Sequence, residues 1–142
     1  MSLDKLIADG SIHPFKATAK EIARSMELAH RDLNQAKRIL PESLDWAYSI
    51  AYNAVLQASR AYMFHQGYRP ASVESHKATL AFMQISVEPQ LKETIDYFDR
   101  VRNKRHRVIY DEVGLVSEKE AQQLIQKAIE FIAWVDMKLK PK

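Results

Sequence analysis

The scarcity of helix-breaking residues within long stretches of the chain is the feature that most restricts its fold. The 142 residues include only three glycines and five prolines, which lie near the ends of stretches whose apolar residues recur every three or four positions. That spacing places apolar side chains on one face of an α-helix, whereas a half-buried strand would alternate apolar and polar residues. The sequence therefore predicts an all-α protein without a sheet.

Capping signals and helix-breaking residues divide the chain into helices. Thr18 and Ser117 each have a glutamate three residues later, the spacing of a capping box. Pro41 and Gly67 mark helix ends. The predicted helices are a short N-terminal one at 2–8 and longer ones at 18–40, 42–66, 72–86, 89–111 and 117–138. Because short loops make neighbouring helices antiparallel, we expect a bundle of four to five antiparallel helices plus the short N-terminal helix.

The helix at 42–66 is predicted to be the central one. It has a ridge of small residues three or four positions apart, at Ala47, Ala51, Ala54, Ala58 and Ala61. Aromatic and aliphatic side chains, Trp46 among them, cover much of the remaining circumference. A helix that is apolar on most sides is expected to be buried by several neighbours.

Length and composition indicate one globular domain that spans residues 1–142. No apolar run is long enough to cross a membrane, and the N-terminus lacks the pattern of a secretory signal, so we expect a cytoplasmic protein with no membrane partner. Cysteine is absent, which excludes disulfides and thiolate metal sites. The other sequence signals give no reason to expect a cofactor.

Positive charge is concentrated in one short segment, residues 100–107. Five of its eight residues are Arg or Lys, and subtracting these five charges from the net +3 leaves −2 for the rest of the chain. A cationic patch on a nearly neutral body is typical of a protein that binds a polyanion such as nucleic acid or a nucleotide. A charged face that is merely solvated is the alternative.

Helical geometry divides this basic segment into two sets of residues. The inward set is Arg102 and Arg105, which fall within the apolar stripe of the helix, together with His106 at its edge, and the outward set is Arg100, Lys104 and Arg107. A guanidinium inside a core needs anionic or carbonyl partners. These partners are either phosphates of a ligand or carboxylates of this chain, for which the candidates are Asp45, Asp99 and Glu112.

The same segment contains the groups that cleavage of RNA without a metal ion requires. Arg102 and His106 are four residues apart, as are Asn103 and Arg107, so each pair shares a helix face. An imidazole can accept or donate a proton near neutral pH, and guanidinium groups can hold the charge of a phosphoryl transition state. The remaining histidines, at 13, 30, 65 and 76, have no companions at a metal-ligand spacing, so no metal site is expected. A buried ion network would also explain the arginines.

Three runs of sequence together resemble the HEPN (higher eukaryotes and prokaryotes nucleotide-binding) domain family. They are SLDWAYSIAYNAVLQASRAYMFHQGYRP, SHKATLAF and YFDRVRNKRHRVIYDEVGLVSEKEAQQLIQKAIEFI, and the resemblance extends over about 42–138. It implies a helical bundle that dimerises, with an arginine-to-histidine motif of each subunit at a shared cleft. Many members are metal-independent endoribonucleases, often toxins of toxin–antitoxin pairs, and others accompany a minimal nucleotidyltransferase.

Carried onto this chain, the resemblance identifies His106, Arg102 and Arg100 as candidate catalytic residues. Five residues separate Arg100 from His106, which matches the family spacing, while Arg102 is followed by the asparagine that the motif commonly has. Candidates for binding RNA or nucleotide are Asn103, Arg105, Arg107 and Tyr110. The alternative function is a non-catalytic module that binds nucleotide or RNA, or pairs with a nucleotidyltransferase or antitoxin, through the same cleft.

Overall fold

The computed structural model describes residues 2–72, 75–110 and 114–141, and at Tyr110 it describes the backbone alone. Helices dominate the described residues, which confirms the all-α prediction. The elements in chain order are α1 (Leu3–Ala8), β1 (Ile12–Pro14), α2 (Ala19–Ile39), α3 (Leu44–Gln66), β2 (Tyr68–Pro70), α4 (His76–Ser86), α5 (Lys92–Tyr110) and α6 (Glu118–Leu139), with a 3-10 turn at Pro89–Leu91 before α5.

Side-chain caps define the helix starts that the sequence predicted. Thr18 and Ser117 accept hydrogen bonds from the backbone N–H groups of Glu21 and Glu120, and each glutamate accepts one in return, so both capping boxes are confirmed. At the C-terminal end of α3, Gly67 has a φ of 94°, a left-handed conformation that ends the helix.

The central position of α3 is confirmed, because it packs against α2, α4, α5 and α6. All five alanines of its small-residue ridge are fully buried. The contact with α2 is the most extensive, and there the Ser25 hydroxyl donates a 2.8 Å hydrogen bond to the backbone carbonyl of Gln57. Small side chains allow these two backbones to approach closely enough for such a bond.

The core that holds α5 in place consists of its own apolar side chains and those of α3, α4 and α6. On α5, Ile95, Phe98, Val101 and Val108 are buried, and the Phe98 ring packs edge-on against Phe131 of α6 at 5.4 Å between ring centroids. No helix in the described part of the chain combines the length and hydropathy that crossing a bilayer requires.

The structure corrects three details of the sequence-based description. The residues expected to form connectors, 12–14 and 68–70, pair as a short antiparallel ladder, with His13 opposite Arg69. Three-residue strands are too short to show a recognisable alternating pattern. The helix predicted from residue 72 begins at His76 instead, and Val73, which was assigned to it, lies outside the described residues. Trp46 is 58% exposed rather than covered by neighbouring helices.

Candidate functional site

The basic half of α5 presents different cations to different neighbours. Lys104 turns towards α6, where its ammonium group forms an ion pair with Glu120. Its prediction as an outward residue is therefore wrong, because the packing of α6 brings a carboxylate to that side of α5. The hydrogen bond from Lys104 is also the main reason why the pKa of Glu120 is lowered. Lys104 is thus a neutralised charge within the basic segment.

Arg105 lies against α3, as its position within the apolar stripe predicted. Its guanidinium carbon is 5.4 Å from the centroid of the Tyr52 ring, and its Nη2 donates a long hydrogen bond of 3.4 Å to Asn53 Oδ1. Its Nε is buried without a hydrogen-bond partner, and no carboxylate within the described ranges comes within ion-pair distance. Arg105 is therefore a half-buried cation whose charge no described acidic group neutralises.

Arg102, unlike Arg105, has a carboxylate partner among the described residues. Its Nε donates a 2.9 Å hydrogen bond to Asp99 Oδ1, one turn earlier on α5, so one of the three carboxylates suggested by the sequence does pair with an arginine. Asp45 instead accepts a 2.8 Å hydrogen bond from the backbone N–H of Gly114. The third candidate, Glu112, lies outside the described residues.

Tyr52 of α3 lies beside the guanidinium group of Arg105 on α5. The ring is fully buried, its hydroxyl has no hydrogen-bond partner among the described residues, and burial raises its pKa. Arg105, Arg102 and Arg60 are close enough to oppose that rise in the pKa. Tyr52 and Asn53 were not predicted as site residues, because only the packing of α3 against α5 brings them to Arg105.

An exposed strip along α5 contains the other predicted residues. His106, Asn103, Arg107 and Arg100 are all exposed, and on a helix that advances about 100° per residue they lie within about 120° of one another. Asn103 Nδ2 donates to the Asp99 carbonyl at 3.4 Å. Arg107 has no ion-pair partner in the described ranges. His106 and Arg102 lie beside each other at one edge of this strip, as their four-residue separation predicted. The prediction that His106 belongs to the inward set is wrong, because its side chain is exposed.

Arg100 lies at the far side of the strip from Arg105. Its guanidinium carbon is 5.9 Å from the Tyr97 ring centroid, and it lines a groove of about 330 Å³ with Gln123 and Lys127 of α6. The structure therefore does not bring Arg100 together with Arg105 on the α3 side. Tyr110 was predicted to bind RNA or nucleotide, but its side chain lies outside the described part of the chain.

The arrangement offers cations and an imidazole to an anionic ligand. Arg100, Arg105 and Arg107 carry charge that no described carboxylate pairs with, and His106 is exposed between them. Across residues 2–72, 75–110 and 114–141, no group of three or more His, Asp or Glu is placed to hold a metal ion. The chemistry that these α5 residues can supply is electrostatic binding of phosphate and proton transfer by imidazole.

Comparison with protein-family models finds a match to the HEPN domain over residues 22–138. The chain belongs to the HEPN domain family. The match begins inside α2, earlier than the resemblance that starts near residue 42, and it includes the whole of α5. A crystal structure of an archaeal HEPN homologue is similar in fold, with a TM-score of 0.64 and 17% sequence identity over 84% of this chain and 98% of that one. The comparison with curated proteins gives no significant match.

Proposed function

We propose that this HEPN domain binds RNA through the basic face of α5 and cleaves it without a metal ion, as an endoribonuclease of the toxin–antitoxin or RNA-processing type. The observation that carries the proposal is the state of Arg105. A half-buried guanidinium with one long hydrogen bond and no described carboxylate partner has Nη donors left for a phosphate oxygen. Arg100 and Arg107 are exposed on the opposite side of α5 from Arg105 and add positive charge there.

The roles of the residues follow from their positions. His106 removes the proton of a ribose 2′-hydroxyl, whose oxygen forms a bond to phosphorus while the bond from phosphorus to the 5′-oxygen breaks. The leaving oxygen takes a proton from water or from His106 of a second copy. Arg102 and Arg105 stabilise the charge on the phosphorane oxygens. The products are a 2′,3′-cyclic phosphate and a 5′-hydroxyl, so no oxidant or metal hydroxide takes part.

The test of cleavage uses purified protein and a labelled single-stranded RNA in excess chelator. His106→Gln should abolish the cyclic-phosphate product, whereas His65→Gln, at an exposed histidine at the end of α3, should leave it unchanged. Equal cleavage by the wild type and His106→Gln would remove His106 from the mechanism. We also propose a homodimer in which one motif of each copy lies at a shared cleft, and size-exclusion chromatography with light scattering tests it.

A non-catalytic role at the same surface is the second candidate, and the pairing of Arg102 with Asp99 favours it. An arginine that is already neutralised contributes less to a phosphoryl transition state than an unpaired one. In that case the domain binds RNA or nucleotide, or pairs with a nucleotidyltransferase or antitoxin, and salt-sensitive binding occurs without product. If expression of the chain alone were toxic and an adjacent gene relieved the toxicity, the toxin function would be favoured. The proposed location is the cytoplasm, where RNA is available.

A further inference from the structure

A cavity beside the basic segment has the composition of a small polar binding site. It measures about 140 Å³ and lies between the first turns of α3 and the end of α5, lined by Asp45, Trp46, Ser49, Val108 and Ile109. Apolar side chains of α5 form one wall, an aromatic ring forms another, and two polar side chains come from α3. A pocket that is mostly apolar with a few convergent polar groups is typical of a ligand site.

Two polar atoms at this cavity lack the partners that buried polar atoms ordinarily have. The Ser49 side chain is in a residue only 1% exposed, and its hydroxyl makes no hydrogen bond to any described residue. Asp45 uses Oδ2 to accept from Gly114, whereas its Oδ1 is buried and has no partner in the same set. Because desolvating a polar atom without a hydrogen bond is costly, such atoms often mark a ligand position.

The aromatic wall is unusually exposed for a side chain of its size. Trp46 and Met137 are the two large apolar side chains that are mostly exposed in the described part of the chain, and only Trp46 adjoins this cavity. An exposed indole ring is a suitable platform for a nucleobase, and stacking of bases on aromatic side chains is a common way to hold single-stranded RNA.

The distance from Arg105 to this cavity is similar to the distance from the phosphate of a nucleotide to its base. Ile109 follows Arg105 by one turn on α5, and Ser49 precedes Asn53 by one turn on α3. One turn is about 5.4 Å, comparable to the distance between a phosphate and the base of the same nucleotide. A phosphate at Arg105 would therefore leave its base within reach of Trp46.

We propose, on the basis of the proposed RNA binding, that this cavity selects guanine in single-stranded RNA. The guanine edge has adjacent N1–H and N2–H donors, which suit the unpaired Asp45 Oδ1, and an O6 acceptor, which suits the Ser49 hydroxyl. Trp46 stacks on the plane of the base. Adenine and uracil each present only one N–H donor to the carboxylate on the corresponding edge, so both bind less tightly than guanine at this position.

The test compares labelled five-nucleotide RNAs that differ only at the middle base: guanine, hypoxanthine, adenine or uracil in a uridine background. Fluorescence anisotropy should give about tenfold tighter binding for guanine than for adenine, with hypoxanthine, which lacks the N2 amino group, between them. The guanine RNA should also quench Trp46 emission, and the quench should be absent in Trp46→Phe.

Three variants separate the polar contacts from the fold. Ser49→Ala and Asp45→Asn should reduce the preference for guanine, and Trp46→Ala should lower affinity for the guanine RNA. Met137→Ala, at the other exposed large apolar side chain, should change neither. Since Asp45 also holds Gly114, loss of folding in Asp45→Asn would leave Ser49→Ala and Trp46→Ala to decide the matter.

The outcomes distinguish this proposal from the one on which it rests. Salt-sensitive binding of all four RNAs with equal affinity would refute guanine selection and leave RNA binding intact. No binding of any RNA would refute both. A change in oligomeric state of Trp46→Ala, with unaltered guanine preference, would assign Trp46 to an interface between copies and overturn the base site.

Discussion

Replacing Arg105 by methionine should weaken RNA binding without unfolding the domain. The variant removes one of the three arginines of α5 that have no described carboxylate partner, the others being Arg100 and Arg107. Each phosphate contact with a single strand contributes about 0.7 to the slope of log K against log salt, so loss of the contact at Arg105 should make the slope less negative by about 0.7. Loss of a charge-assisted hydrogen bond costs about 1.5–3 kcal/mol, or roughly 10- to 150-fold in affinity.

The effect of the same change on stability should be small, for reasons visible in the structure. Arg105 gives up a cation–π contact with Tyr52, which is worth about 0.5–2 kcal/mol, and a 3.4 Å hydrogen bond to Asn53. The substitution also removes a buried Nε that has no hydrogen-bond partner among the described residues. Methionine, which is flexible and apolar, can fill the space over the Tyr52 ring. We expect the free energy of unfolding to change by less than about 1 kcal/mol.

Anisotropy titrations of a labelled single-stranded RNA at several salt concentrations measure the slope, and urea unfolding measures stability. Arg24→Met is the matched control, because it removes the same charge from an exposed ion pair with Glu27 on α2. It should leave the salt slope unchanged. If Arg105→Met kept the wild-type slope and affinity but lowered the urea midpoint, Arg105 would be a structural cation and the RNA surface would lie elsewhere.

Three further predictions concern charge and packing. Asp99→Asn should strengthen RNA binding about two- to fivefold in the same titrations, because it frees Arg102; weaker binding would contradict this account. Glu120→Gln should cost up to about 1 kcal/mol at neutral pH. Because the pKa of Glu120 is lowered in the folded protein, its stabilising contribution is present above its ordinary pKa of 4.5 and is lost as the pH falls through the folded pKa. The urea midpoints of variant and wild type should therefore converge in acid. A difference in midpoint that stayed constant with pH would refute the ion pair. Ala54→Leu should destabilise the domain by about 1–3 kcal/mol because the ridge of α3 is fully buried, whereas Ala133→Leu on the exposed side of α6 should change stability by no more than about 0.5 kcal/mol.

The sequence alone determined the features of this protein that depend on neighbouring residues. A capping box needs two residues three positions apart, so Thr18 and Ser117 could be identified as helix starts without knowledge of the rest of the fold. The same holds for the buried alanine ridge of α3, because helical periodicity places its members on one face. The inward position of Arg105 also followed from periodicity.

Tertiary structure decided which of the charges on α5 are neutralised. Lys104 was predicted to face solvent, but the packing of α6 places Glu120 within ion-pair distance of it. Arg105 was predicted to need an ion-pair partner, but α3 places the ring of Tyr52 beside it rather than a carboxylate. The exposure of Trp46 also could not be predicted from the sequence. Most sides of α3 are apolar, so its sequence does not indicate which side is left uncovered by neighbouring helices. These outcomes depend on distances between elements far apart in the chain, and periodicity within one helix does not contain that information.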